Sequence, residues 1–202
     1  MTEKWTCKQA LAKLTKGNRE HVQQCRKEGL GERTFQLKET DPGQRPYAAL
    51  LSCADSRVIP EEIFCAGKGE LFVVRVAGNI SSPETIASLE YAVKKLYVPV
   101  ILVLGHEDCG AVDSAIKFAK DRLNLGHNLN QLISYIIPAI NDPTIDDMPK
   151  AVKKNATLSA AGLTERSLIL ESYQTEKKLL ICSAYYHLKG EVEWLGTCKC
   201  PG

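Results

Sequence analysis

The sequence shows no marked excess of either charge. Its 26 Lys and Arg stand against 24 Asp and Glu, a net of +2. That balance excludes the broad field with which a protein engages polyanions or anionic lipid. Neither nucleic acid nor membrane is therefore expected as a partner. Long apolar runs are missing too. The longest, Tyr97 to Leu104, falls far short of the ~20 residues a membrane span needs. Met1 to Lys8 contains no apolar stretch of signal-peptide type, so a cytoplasmic location is expected. Internal repeats and low-complexity tracts are absent as well.

What remains is ordinary globular composition, 44% hydrophobic and 25% charged over 202 residues. It suits one domain with a sizeable core, read as an N-terminal helical arm over 1–36 and a core over 45–200. The 8 cysteines are the exception. In a chain of this length with no secretion signal, they point to metal-binding or reactive thiols rather than to a disulfide framework.

Residues Thr6 to Lys27 read as one or two polar helices with a thin apolar stripe (Ala10, Leu11, Leu14, Val22, Cys25), punctuated at Gly17-Asn18. So thin a stripe suggests an arm lying on something else. From Pro46 the pattern changes. Tyr47 to Cys53, Leu71 to Ala77, Val98 to Leu104 and Leu179 to His187 are continuous apolar runs, as strands buried on both faces are. Val192 to Leu195 reads as a short edge strand after a Lys189-Gly190 turn. Ser82-Pro83-Glu84 has the form of a helix start, with a cap, a proline and an early acid. Helical periodicity then places Ile86, Leu89, Val93 and Leu96 on one face. Further helices are expected over Ala111 to Lys120 and Leu129 to Ile140, with two more between Lys150 and Thr175. The fold class that follows is α/β: a mainly parallel four-stranded sheet with helices on both faces, a short C-terminal edge strand and an N-terminal helical arm.

Ligands of such sheets sit beyond the carboxyl ends of the strands, and two of these ends carry metal-type residues. The first is Cys53-Ala54-Asp55-Ser56-Arg57, the second Gly105-His106-Glu107-Asp108-Cys109-Gly110. A right-handed crossover brings them to one sheet edge, where Cys53, His106 and Cys109 form a Cys₂His set. That set suits Zn²⁺ with a fourth position left for water. Cys109 enters a helix whose N-terminus favours a thiolate, and Gly110 leaves room and an N–H for an anion.

Cys-Ala-Asp-Ser-Arg (53–57) followed by Gly-His-x-x-Cys-Gly-Ala (105–111) resembles the paired signature of the β-class carbonic anhydrases. Phe72 to Asn79, Leu89 to Val93 and Gln44 to Tyr47 are similar to that family as well. The resemblance implies one Zn²⁺ per chain on Cys53, His106 and Cys109. It implies an Asp55–Arg57 dyad beside the metal, with Asp55 able to become the fourth ligand in a closed state. Gln44 and Gly110 would bind substrate, in a pocket completed across a homodimer or dimer of dimers whose arm clasps the partner. The implied reaction is reversible hydration of carbon dioxide to bicarbonate and a proton, by attack of zinc-bound hydroxide. Hydrolysis of carbonyl sulfide or carbon disulfide on the same site, and a non-catalytic zinc or bicarbonate sensor, are the alternatives.

Two positions depart from the family pattern. Leu50 stands where bicarbonate-inhibited members carry a tryptophan, although Arg75 matches another element of that second bicarbonate site. Glu107-Asp108 stands where many members have a small or polar pair. Two thiolates and an imidazole already cancel the metal's charge, and added carboxylates disfavour a further anion. Turnover is therefore expected to climb through the neutral-to-alkaline range. Of the other cysteines, Cys65 and Cys182 are expected in the core, Cys7 and Cys25 on the arm. Cys198 and Cys200 are expected as exposed tail thiols rather than a second metal or redox site.

Overall fold

A computed structural model describes residues 4–28, 43–121, 124–142, 144–145 and 147–200. In chain order its main elements are α1 (Cys7–Glu28), β1 (Ala48–Ser52), α2 (Pro60–Ile63), β2 (Leu71–Arg75), α3 (Pro83–Leu96), β3 (Val100–His106), α4 (Gly110–Asp121), α5 (His127–Ser134), α6 (Ile137–Ile140), α7 (Met148–Glu165), α8 (Leu168–Thr175), β4 (Leu180–Tyr186) and β5 (Val192–Leu195). The strands order as β2-β1-β3-β4-β5. The first four are parallel and β5 closes the edge antiparallel to β4. This is the α/β architecture expected from the sequence.

Alternation along each strand divides the core between the two sheet faces. Ala48, Leu50, Leu102 and Leu104 pack with Ala10 and Leu14 of α1 and with Ile63 and Phe64. Ala49, Leu51, Ile101 and Val103 pack with α3, α7 and α8 through Leu89, Val93, Leu163 and Leu170. Buried on both faces, β1 and β3 carry the unbroken apolar runs Ala48 to Leu51 and Val100 to Leu104.

Three local expectations are corrected. Gly17-Asn18 does not interrupt α1, which runs unbroken through it. A Cβ at Gly17 would lie 1.8 Å from the Phe64 carbonyl oxygen, so the glycine lets α1 close onto that backbone. Asn18 is buried beside it. Its Nδ2 donates to the carbonyls of Ile63 (3.2 Å) and Gly190 (2.9 Å), and its Oδ1 accepts from the Val192 N–H (3.1 Å). The pair is a docking seam, and the arm's stripe lies on the chain's own core. Gly17→Ala should therefore lower stability by about 1–3 kcal/mol through overpacking, despite alanine's better helix propensity. A urea-unfolding midpoint equal to or above wild type would contradict this seating.

Second, the helix expected over Leu129 to Ile140 is two helices. Pro138 has no N–H to give the Ser134 carbonyl and its ring crowds that carbonyl, so α5 stops at Ser134. Third, Ser82 occupies the cap position of α3 without capping it; its hydroxyl donates to Glu84 Oε2 at 2.9 Å.

The cysteines also differ from expectation. Cys65 is exposed, just past the end of α2. Cys198 and Cys200 are half-buried and joined in disulfides, Cys182 with Cys198 and Cys7 with Cys200. Among the described residues, no helix is long and apolar enough to cross a membrane. The boundary of the arm at residue 36 lies outside the described residues.

Candidate metal centre

Parallel pairing of β1 with β3 aligns Ser52 with Leu104. Cys53, one residue past β1, and His106, the last residue of β3, therefore emerge together at the carboxyl edge. Cys109 follows after a tight turn in which Asp108 takes a left-handed conformation (φ 54°), one that Asp tolerates better than most residues. α4 begins immediately afterwards, and the Asp113 N–H donates to the Cys109 carbonyl at 3.0 Å.

The ligand atoms of Cys53, His106 and Cys109 all lie within 4.8 Å of one another. All three residues are buried, at 4%, 0% and 0% exposure. The His106 Nδ1 lies 2.8 Å from the Glu107 carbonyl oxygen, so Nδ1 carries the proton and donates there. Its Nε2 is buried with no protein partner. A buried ring nitrogen left with its lone pair beside two sulfurs is the donor set a zinc ion completes. The residues present fit the metal.

The two sulfurs settle their charge between them. The Cys109 thiol hydrogen-bonds Cys53, which pulls Cys53 down to about 4; His106 and the Gly78 N–H, 3.3 Å from its Sγ, assist. Cys109 is pushed up, first by its bond to Cys53, then by burial and by the neighbouring negative charge. Backbone N–H groups of Ala111 and Val112 at the start of α4 do favour its ionisation, but two touching buried thiolates repel each other more strongly. A dication between the sulfurs removes that repulsion and lets both ionise.

Asp55 stands beside the group. Its Oδ2 lies 4.0 Å from His106 Nε2. Arg57 grips the carboxylate with Nε on Oδ1 (3.0 Å), Nη2 on Oδ2 (2.8 Å) and its backbone N–H on Oδ1 (2.9 Å). This grip holds the Asp55 carboxyl well below the usual carboxylate range. The same Nη2 also donates to the Asp108 carbonyl at 3.0 Å, tying one ligand loop to the other.

Several supporting contacts escaped sequence reasoning. Arg75 donates from Nε to the Cys53 carbonyl (3.2 Å) and from Nη2 to the Asp55 carbonyl (2.7 Å), bracing the first ligand loop. Gly78, whose N–H reaches Cys53 Sγ, has φ 71°, and a Cβ there would sit 2.8 Å from Ile136 Cδ1. Asn155 of α7 donates to the Gly78 carbonyl at 2.8 Å and fixes that peptide. The glycine was a visible signal; the asparagine, 77 residues away, was not.

The other expected site residues fall into two groups. A Cβ on Gly110 would meet nothing within 4 Å, so space is open beside it. Gln44 is not brought to the group within the chain. It lies before β1, with Arg45 donating to the Gly69 carbonyl at the amino edge of the sheet. At ~3.3 Å per residue, β1 alone separates the two edges by roughly 13 Å. Gln44 lines a separate cavity of about 250 Å³ with Trp5, Arg45 and Tyr97. Glu107 accepts the Leu188 N–H at 3.0 Å.

The family model for carbonic anhydrase matches residues 48–192, which include both ligand-bearing strand ends. The chain belongs to the β-class carbonic anhydrase family. Carbonic anhydrase 2 of Mycobacterium tuberculosis is 43% identical to this family member over 98 residues, 48% of this chain and 47% of that protein. A carbonic anhydrase of Mycolicibacterium smegmatis is 49% identical over 73 residues, 36% of this chain and 35% of that protein. The chain thus spans about half or less of these curated relatives. Among solved structures, the Coccomyxa β-carbonic anhydrase in complex with acetazolamide superposes with TM-score 0.68 at 26% identity, covering 92% of this chain and 86% of that one. A tetrameric β-carbonic anhydrase of Sordaria macrospora gives 0.66 at 26% identity, covering 77% and 83%.

Proposed function

We propose that this β-carbonic anhydrase family member catalyses the reversible hydration of carbon dioxide to bicarbonate and a proton, on a zinc ion held by Cys53, His106 and Cys109. The observation that carries the reading is the unpartnered His106 Nε2, beside two sulfurs and 4.0 Å from an Arg-clamped carboxylate oxygen. Zinc bound there supplies a Lewis acid that makes water nucleophilic near neutral pH.

The chain's residues do the rest. Asp55, ionised throughout the working range, accepts a hydrogen bond from the nucleophile at Oδ2 and so turns a lone pair toward carbon dioxide. Arg57 is its positioning residue, and Arg75 holds the loop carbonyls on which both Cys53 and Asp55 depend. The space beside Gly110 receives the substrate. The proton leaves to solvent. A purely structural zinc would need no clamped carboxylate beside it, which argues against the sensor reading. Stopped-flow carbon dioxide hydration run beside sulfide release from carbonyl sulfide tests the substrate. Hydration should dominate; release of sulfide with no hydration would overturn the assignment.

Gln44 completes the site from a second copy of the chain, so the working unit is a homodimer or dimer of dimers. Its place at the far sheet edge supports this, since no single-chain path brings it to the sulfurs. Gln44→Ala and Cys53→Ser should each be poorly active alone. Mixed under subunit exchange they should recover about a quarter of wild-type hydration, because half the dimers then hold one intact site. No recovery despite demonstrated exchange would place Gln44 outside the site.

A further inference from the structure

Cys7, Cys182, Cys198 and Cys200 come from three separate parts of the chain and meet on the face of the sheet that α1 covers. Cys7 is the first residue of α1, Cys182 lies within β4, and the other two sit in the tail beyond β5. Gly196, at φ 71°, turns that tail back after β5. In an extended Cys-x-Cys segment, residues two apart point to the same side, so Cys198 and Cys200 present both sulfurs to the sheet. Each meets a partner there. The Cα separations are 5.7 Å for Cys182 with Cys198 and 5.9 Å for Cys200 with Cys7. None of the four is exposed, and all pack into one apolar cluster with Trp5, Leu11 and Trp194.

We propose that in the reduced protein these four cysteines form a second zinc site, a closed four-thiolate centre that pins the helical arm and the tail to β4. Four thiolates around Zn²⁺ carry a net charge of −2. Lys8 and Lys199 are sequence neighbours of three of the four sulfurs. Cys7 sits at the N-terminus of a 22-residue helix that has no acidic residue in its first turn, where the helix dipole favours a thiolate. With every coordination position filled by protein, such a centre is structural, unlike the three-ligand group at the carboxyl edge.

The four cysteines are paired as two disulfides in the structure, so the metal requires their reduction. Cys53 and Cys109 lie close together and are both free thiols. Conditions that keep this pair as thiols able to load zinc also favour thiols at the tetrad. From the paired form, two molecules of a dithiol reductant supply four electrons and four protons and leave as cyclic disulfides. The four thiols so formed then release their protons to solvent as one Zn²⁺ binds.

Zinc itself is the probe, counted by plasma mass spectrometry on the full chain purified with a dithiol reductant. Wild type should hold about two zinc ions per chain, the Cys53→Ser variant about one, and the Cys198→Ser/Cys200→Ser double variant about one. Carbon dioxide hydration should vanish in the first variant and stay within about twofold of wild type in the second. Cobalt loaded into Cys53→Ser should give the intense visible absorption of a tetrahedral thiolate complex, a readout independent of activity and of the proposed reaction. If the double variant does not fold, Cys53→Ser alone decides the matter. Folded, reduced Cys53→Ser that binds no zinc would overturn the proposal. So would wild type purified with reductant that holds one zinc and has an intact mass four hydrogens lower than the reduced chain, since the tetrad would then be two disulfides in its resting form.

Discussion

Cys109→Ser should lose about one zinc ion per chain and more than about 10³-fold of its carbon dioxide hydration, because without the metal little of the catalytic acceleration survives. The expectation rests on the Cys109 sulfur lying within 4.8 Å of the ligand atoms of Cys53 and His106. A serine hydroxyl at 109 can still donate to Cys53 but does not ionise into a soft second ligand. The variant should fold, since serine is close in size and the start of α4 is fixed by backbone hydrogen bonds. Circular dichroism with plasma mass spectrometry on one sample separates loss of metal from loss of fold. Full zinc retention with near-normal turnover would refute the ligand assignment.

Arg57→Ala should keep its zinc and lose about 10- to 100-fold in activity, the usual scale for removing a group that orients a metal site. Arg57 lowers the Asp55 pKa, so its removal raises that pKa toward the ordinary carboxylate value. Between pH 6 and 9.5 the carboxylate is ionised in both proteins, so the change is one of position and not of protonation. Released from three hydrogen bonds, Asp55 competes with water for the metal. That competition is strongest where the nucleophile is scarce, so the loss should be greatest near pH 6 and shrink as pH rises. Stability follows the same sign. A depressed carboxylate pKa contributes stability that is present above the ordinary carboxylate range and is lost only as pH falls through the lower folded value. No loss of fold from this group is therefore expected across the assay range. Wild-type turnover by Arg57→Ala at every pH would reduce the pair to an ordinary surface contact; Arg57 is indeed 47% exposed. Wild type itself should rise through neutral to alkaline pH.

The sheet and the metal group were legible in the sequence for the same reason. Parallel strands buried on both faces write continuous apolar runs, and the residue just past each run lands at the carboxyl edge. The sequence pattern alone therefore places Cys53 and His106 together. Features carried by distant partners were not legible. Gly17-Asn18 has the local signature of a helix break, and only the Phe64 backbone and the Gly190 turn reveal it as a seam. The apolar period from Leu129 to Ile140 runs on through Pro138, and here the backbone chemistry of proline overrode the pattern. Arg75 was noticed for another reason, while its grip on two carbonyls depends on the register of β1 with β2. The convergence of Cys7, Cys182 and the tail spans 193 residues, and spacing alone does not encode such pairings.

The most direct test strips and restores the metal in the wild-type chain. Carbon dioxide hydration is measured by stopped flow before chelation, after it, and after zinc is returned, with metal content read on each sample. The account predicts activity that disappears with the zinc and returns with it. A metal-free chain that hydrates carbon dioxide at the original rate, or a fully loaded chain with none, would contradict it.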